Sequence, residues 1–178
     1  MKKINRKGII IFCLASILIL LYMIYDSTLK AKNVNKNIEI NTYCILTDAN
    51  NCSVSLKEFK GKLIFFFSQY NCMPCVSQQL QSIKDAEPHL NSNDLIIVSD
   101  FGTGKDLQIL KNAKKFKFRV FRTTDRLFKN EEIKFTVPLF LTFNEKFCTE
   151  DLFLCHDISG GQTEYFLERF YSTSSFEE

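Results

Sequence analysis

The chain has 178 residues, a formal net charge of +3, 46% apolar residues, 18 phenylalanines and seven cysteines. That length suits one ordinary domain plus an appendage, and the apolar share is enough for a sizeable core. The charge is too small to imply a nucleic-acid partner, and much of it sits in the opening Met-Lys-Lys-Ile-Asn-Arg-Lys, where targeting signals carry positive charge.

Residues 8–25 contain no charged side chain. As a helix they would span about 27 Å, close to the hydrocarbon thickness of a bilayer. Tyr22 and Tyr25 lie at one end, as an aromatic belt would, and the basic flank precedes the run. That asymmetry keeps the N-terminus in the cytoplasm and sends the remainder across. A cleaved signal has a shorter apolar run followed by a small-x-small site, and Leu29-Lys30-Ala31 is a poor version of one. An uncleaved anchor is therefore expected. Cys13 follows Ile-Ile-Phe, without the small residue that precedes a lipoprotein cysteine, so it reads as an apolar side chain. The expected division is a basic tail (1–7), a transmembrane anchor (8–25), a polar tether (26–37) and a globular domain (38–178).

Within that domain, residues 38–46 suit a first strand and residues 48–51 a turn. Ser55 can cap a single turn carrying Leu56 and Phe59, with Gly61 ending it. Residues 63–67 are continuously apolar, as a strand buried on both faces needs. A helix over 72–86 would turn Val76, Leu80 and Ile83 inward, and Pro88 would stop it. Further strands are expected over 94–99, 117–123, 137–143 and 151–156. Helices are expected over 105–114, 126–132 and 162–171. The basic, aromatic stretch 114–119 reads as an edge strand guarded by lysines. Strands alternating with helices give an α/β domain with its sheet covered on both faces.

The stretch 65–75, Phe-Phe-Phe-Ser-Gln-Tyr-Asn-Cys-Met-Pro-Cys, carries the chemistry. Cys72 follows a buried strand and opens a helix. The first turn of a helix has unpaired N–H groups and a partial positive charge, which stabilise a thiolate and so make the nucleophilic form available. Cys75 lies one turn on, within disulfide reach, and Pro74 falls where a missing N–H costs little. A zinc site would want four ligands in two close pairs. The other cysteines are more widely spaced, and His89 and His156 are isolated. A purely structural disulfide would close too short a loop to remove much entropy from the unfolded chain.

With these residues in view, the sequence resembles the thioredoxin superfamily, in particular its membrane-tethered, extracytoplasmic redoxins of the cytochrome c maturation type. Three segments carry the likeness: Ser-Leu-Lys-Glu-Phe-Lys-Gly-Lys-Leu-Ile-Phe-Phe-Phe-Ser, Asn-Cys-Met-Pro-Cys, and Thr-Val-Pro-Leu-Phe-Leu-Thr-Phe-Asn-Glu-Lys. The resemblance implies a thioredoxin-like α/β fold, a central mixed sheet flanked by helices, behind the N-terminal transmembrane helix. It implies that Cys72 is the exposed nucleophile and Cys75 the resolving thiol. Pro138 would be cis, and Val137 would offer its backbone to a substrate strand. Tyr70, Asn71, Met73 and Pro74 would complete the substrate-binding rim.

Two departures stand out. Relatives usually carry Trp before the first cysteine, where this chain has Asn71 and no Trp anywhere. They often carry a buried acid at positions occupied here by Phe66 and Gln78.

Cys44 and Cys52 bracket one expected turn, and Cys148 and Cys155 another, so each pair is a candidate structural disulfide; buried free thiols are one alternative, and exchange of one of these cysteines with Cys72 during turnover is another. The function expected is thiol-disulfide exchange with thiol- or disulfide-bearing proteins, served by a membrane electron donor or acceptor. No metal and no cofactor beyond the Cys72–Cys75 disulfide is implied. The domain would face the periplasm or cell exterior from a single-pass anchor in the cytoplasmic membrane. A non-catalytic thioredoxin-like binding module is the main alternative. A redoxin-type peroxidase is another, disfavoured because Gln69 stands where such enzymes place Thr or Ser.

Overall fold

A computed structural model describes residues 38–130, 135–156 and 161–174. The tail, anchor and tether expected over 1–37 lie outside the described residues. Among the described residues no helix is long and apolar enough to cross a membrane.

Seven strands form one sheet: β1 (Ile45–Asp48), β2 (Ser53–Ser55), β3 (Leu63–Phe67), β4 (Leu95–Ser99), β5 (Arg119–Arg122), β6 (Leu139–Phe143) and β7 (Thr149–Leu154). Their order is β2-β1-β5-β4-β3-β6-β7. The central β5-β4-β3 run is parallel, and the flanking pairings are antiparallel. The described residues also form three α-helices: α1 (Met73–Ala86), α2 (Gly104–Lys114) and α3 (Gly161–Ser174).

The strand alternation divides the core in two. Leu63, Phe65 and Phe67 point to one face, where they meet Val76, Leu80 and Ile83 of α1, Leu107 of α2 and Leu167 of α3. Ile64 and Phe66 point to the other, with Leu56, Phe59, Ile40, Leu127 and Phe128. Successive Cβ atoms of a strand face opposite ways, so a continuous apolar run feeds both sides. The steps β3→β4→β5 move in one direction across the sheet. Right-handed crossovers therefore put α1 and α2 on the same face. A 3₁₀ turn over Leu56–Phe59 and irregular segments cover the opposite face. Ser55 caps that turn in a capping box with Glu58, and Gly61 follows it at φ +73°.

The elements expected at β3, α1, β4, α2, β6 and α3 are present to within about two residues at most boundaries. Others differ for local reasons. Strand 38–46 shrinks to isolated bridges, Glu39 with Cys148 and Ile40 with Phe128, before β1 begins at Ile45. Asn41 interrupts it: its side-chain oxygen accepts the Tyr43 N–H and its carbonyl accepts the Cys44 N–H. Such local Asn bonds compete with strand pairing. The helix expected over 126–132 does not form across 126–130, because Phe128 bridges to Ile40 and Leu127 O accepts the Asn41 N–H. β5 is interior, between β1 and β4, so the lysines of 114–117 guard no edge. Instead, Lys114 Nζ donates to Gln81, Lys115 O accepts from Lys84 Nζ, and the Lys117 N–H goes to buried Glu87.

Candidate active site

The site is set by how β3 ends. Its last residue, Phe67, is buried, and residues 68–71 turn the chain into α1. Asn71 closes that turn. Its Oδ1 accepts the Ser68 N–H at 2.8 Å, and its own N–H reaches Ser68 O at 3.0 Å. Its Nδ2 donates to Phe135 O at 2.9 Å, tying the turn to the segment that leads into β6. Cys72 then stands as the N-cap of α1, in extended geometry, with Pro74 in the first turn.

Cys72 and Cys75 are joined in a disulfide with Cα atoms 5.2 Å apart, and Cys72 Sγ accepts the Cys75 N–H at 3.4 Å. Cys72 is exposed and Cys75 half-buried. Tyr70 is 67% exposed and Met73 54%, so both flank an open sulfur, as does exposed Pro74. No acidic residue lies in the first turn of α1 to oppose a thiolate. The pair thus has an accessible sulfur at a helix N-terminus and a second sulfur able to close on it, which is the geometry disulfide exchange needs.

The fold is similar to several solved structures. PrxQ from Xylella fastidiosa matches at TM-score 0.56 and 10% identity, over 80% of this chain and 98% of that one. The bacterioferritin comigratory protein of Xanthomonas campestris matches at 0.56 and 10%, over 82% and 99%. A thioredoxin-like protein from Porphyromonas gingivalis matches at 0.53 and 17%, over 78% and 93%. The fold is thioredoxin-like. No family model matches the chain, and no curated protein sequence does.

Within this thioredoxin-like frame, several expected site residues hold other positions. Asn71 is buried with its side chain spent on the turn, so it is a clasp and not part of a substrate-binding rim. The Val137–Pro138 bond is trans, since the described residues contain no cis peptide. Trans is the ordinary preference, and a proline entering a strand needs no N–H there. The backbone role given to Val137 through a cis bond therefore loses its basis. Their location is nonetheless close to the motif: continuing the β3–β6 register by one residue sets buried Pro138 beside Phe67.

The other four cysteines among the described residues are free, which corrects both candidate structural disulfides. In the β1–β2 hairpin, Thr47 faces Ser53, so Cys52 lies opposite Asp48. Cys44 is four residues further along, about 13 Å at strand spacing, beyond the reach of a disulfide. Cys148 and Cys155 sit at opposite ends of β7 rather than across a turn. Burial pushes the Cys44 thiol up to about 11, against a lowering bond from Thr123, and burial also raises Cys155. Both behave as small apolar groups.

Asp100 is a site residue that motif reading missed. It follows β4 directly, and its Oδ1 accepts the Gln69 N–H at 3.0 Å. Burial raises its carboxyl, opposed by backbone hydrogen bonds. It lines a cavity of about 330 Å³ together with Phe66, Tyr70, Asp125, Phe128 and Phe135. The cavity opens beyond the C-terminal ends of the parallel strands β3, β4 and β5, where open α/β sheets bind ligands. The available signal was an acid at the end of a buried strand that a βαβ unit places beside the nucleophile's strand.

Proposed function

We propose that this protein is a thiol-disulfide oxidoreductase acting on extracytoplasmic proteins, tethered by residues 8–25. The observation that carries the reading is the Cys72–Cys75 disulfide at the start of α1, with Cys72 an exposed residue. In the reducing direction the Cys72 thiolate attacks one sulfur of a substrate disulfide. That S–S bond breaks, the other substrate sulfur leaves as a thiolate, and solvent protonates it. The Cys75 thiolate then attacks Cys72 Sγ, releasing the second substrate thiolate. The substrate gains two electrons, and the Cys72–Cys75 dithiol becomes the disulfide. A membrane electron donor would restore the dithiol; in the oxidising direction every step reverses.

The test is a trap. With Cys75→Ser, the mixed disulfide at Cys72 cannot resolve. Covalent adducts that reductant removes are expected on non-reducing gels, and their loss in the Cys72→Ser, Cys75→Ser double variant assigns the sulfur. A blank from the native envelope would remove the exchange reading.

A second reading has one observation behind it: two similar structures are a PrxQ and a bacterioferritin comigratory protein with alkyl peroxide reduction activity. There the Cys72 thiolate would attack a peroxide oxygen, giving a sulfenic acid and an alcohol. Cys75 would then close the disulfide with loss of water. Rapid peroxide-dependent oxidation of the dithiol, outpacing oxidation by protein disulfides, would select this reading.

A further inference from the structure

We infer that the cavity beside the dithiol receives a basic side chain of the substrate protein, Lys or Arg, two or three residues from the substrate's reacting cysteine. The inference rests on the exchange reading above and supplies its specificity.

Tyr70 and Gln69 line the cavity, two and three residues before Cys72. At 3.8 Å between consecutive Cα atoms, Tyr70 Cα lies within about 7.6 Å of Cys72 Cα. A substrate strand advances about 3.3–3.6 Å per residue, so its second or third residue from the attacked sulfur reaches this opening. The volume, about 330 Å³, lies at the low end for ligand sites and suits one long side chain.

The lining selects the kind of side chain. Phe66, Phe128, Phe135 and Tyr70 offer apolar and π surface, which packs against the methylenes of Lys or Arg and attracts their charge. Asp100 and Asp125 supply carboxylates. Each spends an oxygen on a backbone N–H, Asp100 on Gln69 and Asp125 on Ile45. Neither is ion-paired among the described residues. Arg126 also lines the cavity and is engaged within the chain. Among the described lining residues, two carboxylates against one guanidinium leave one negative charge in excess. Burial already disfavours the Asp100 carboxylate, so an incoming cation gains where an anion would be repelled.

The test uses the reduced full-length chain and short peptides with a single cysteine carried as a 2-pyridyl disulfide. The residue two positions from that cysteine is Lys, Gln or Glu. Release of pyridine-2-thione, in excess of that by the Cys72→Ser variant, gives the rate constant. A Lys-over-Glu preference of roughly tenfold at low salt is expected, as for a close charge pair at an interface. Asp100→Asn should reduce that ratio severalfold. Equal rates for Lys and Glu peptides on the unmodified chain would overturn the inference while leaving disulfide exchange intact. No release above the Cys72→Ser background from any peptide would take down both.

Discussion

At Asn71 the chain places a small polar residue directly before Cys72, and the side chain works on the backbone rather than on a substrate. Its two side-chain bonds hold the turn that presents Cys72. Removing a buried partner leaves the other group unsatisfied, at a cost of about 1–3 kcal/mol. Asn71→Ala is therefore expected to lower stability by about 2 kcal/mol in urea unfolding, and to slow exchange by loosening the turn. The free cysteines make a second expectation at this scale. Among the described residues, Cys44, Cys52, Cys148 and Cys155 are thiols beside the disulfide. Exposed Cys52 should react readily with a thiol reagent, while buried Cys44 and Cys155 should stay silent until the protein unfolds. Labelling of Cys44 or Cys155 at the native rate of Cys52 would contradict their burial.

At the scale of elements, Glu87 joins the C-terminal end of α1 to the link between α2 and β5. It is buried, pairs with Lys84 and accepts the Lys117 N–H. Burial by itself would raise its carboxyl, but the Lys117 and Lys84 bonds outweigh that and hold it below the usual range. A depressed carboxyl favours the folded state above its unfolded pKa, and that contribution disappears as pH falls through the lower folded value. Glu87→Gln should cost about 2 kcal/mol at neutral pH and flatten the acid limb of a stability–pH curve below about 4.5. An unchanged acid limb would show that the clamp is energetically idle.

The same scale shows what the sequence made legible. β3 and α1 were readable because five consecutive apolar residues and the Val76, Leu80, Ile83 spacing each admit one economical reading. The cysteine pairings were not, because a strand and a turn of similar length both separate Cys148 from Cys155. Only the β6–β7 register decides between them. The interior place of β5 was equally hidden, since strand order belongs to tertiary packing and basic residues near a strand suggest an edge. Of the site, the dithiol was legible from its position between strand and helix. Asp100 carried only the weak signal of an acid ending a buried strand, and its relation to Cys72 is fixed once β4 lies parallel to β3.

At the scale of the whole molecule, the three parallel strands point their C-terminal ends at one region, and both the dithiol and the acidic cavity follow from that arrangement. The only covalent cross-link found among the described residues spans Cys72 to Cys75 and leaves both core clusters unstitched. Opening it should leave the sheet intact, with circular dichroism unchanged and the unfolding free energy altered by no more than about 2 kcal/mol.

That modest difference is also a readout of redox poise. Folding and ring closure form a thermodynamic square, so whatever the closed ring lends the native state, the native state lends the ring in equal measure. Urea midpoints of the two redox forms would then report how far the scaffold moves the couple from that of the unfolded peptide, at about 30 mV for each 1.4 kcal/mol. A more stable oxidised form would mark a poor electron acceptor suited to reducing its partners, and a more stable reduced form an oxidant.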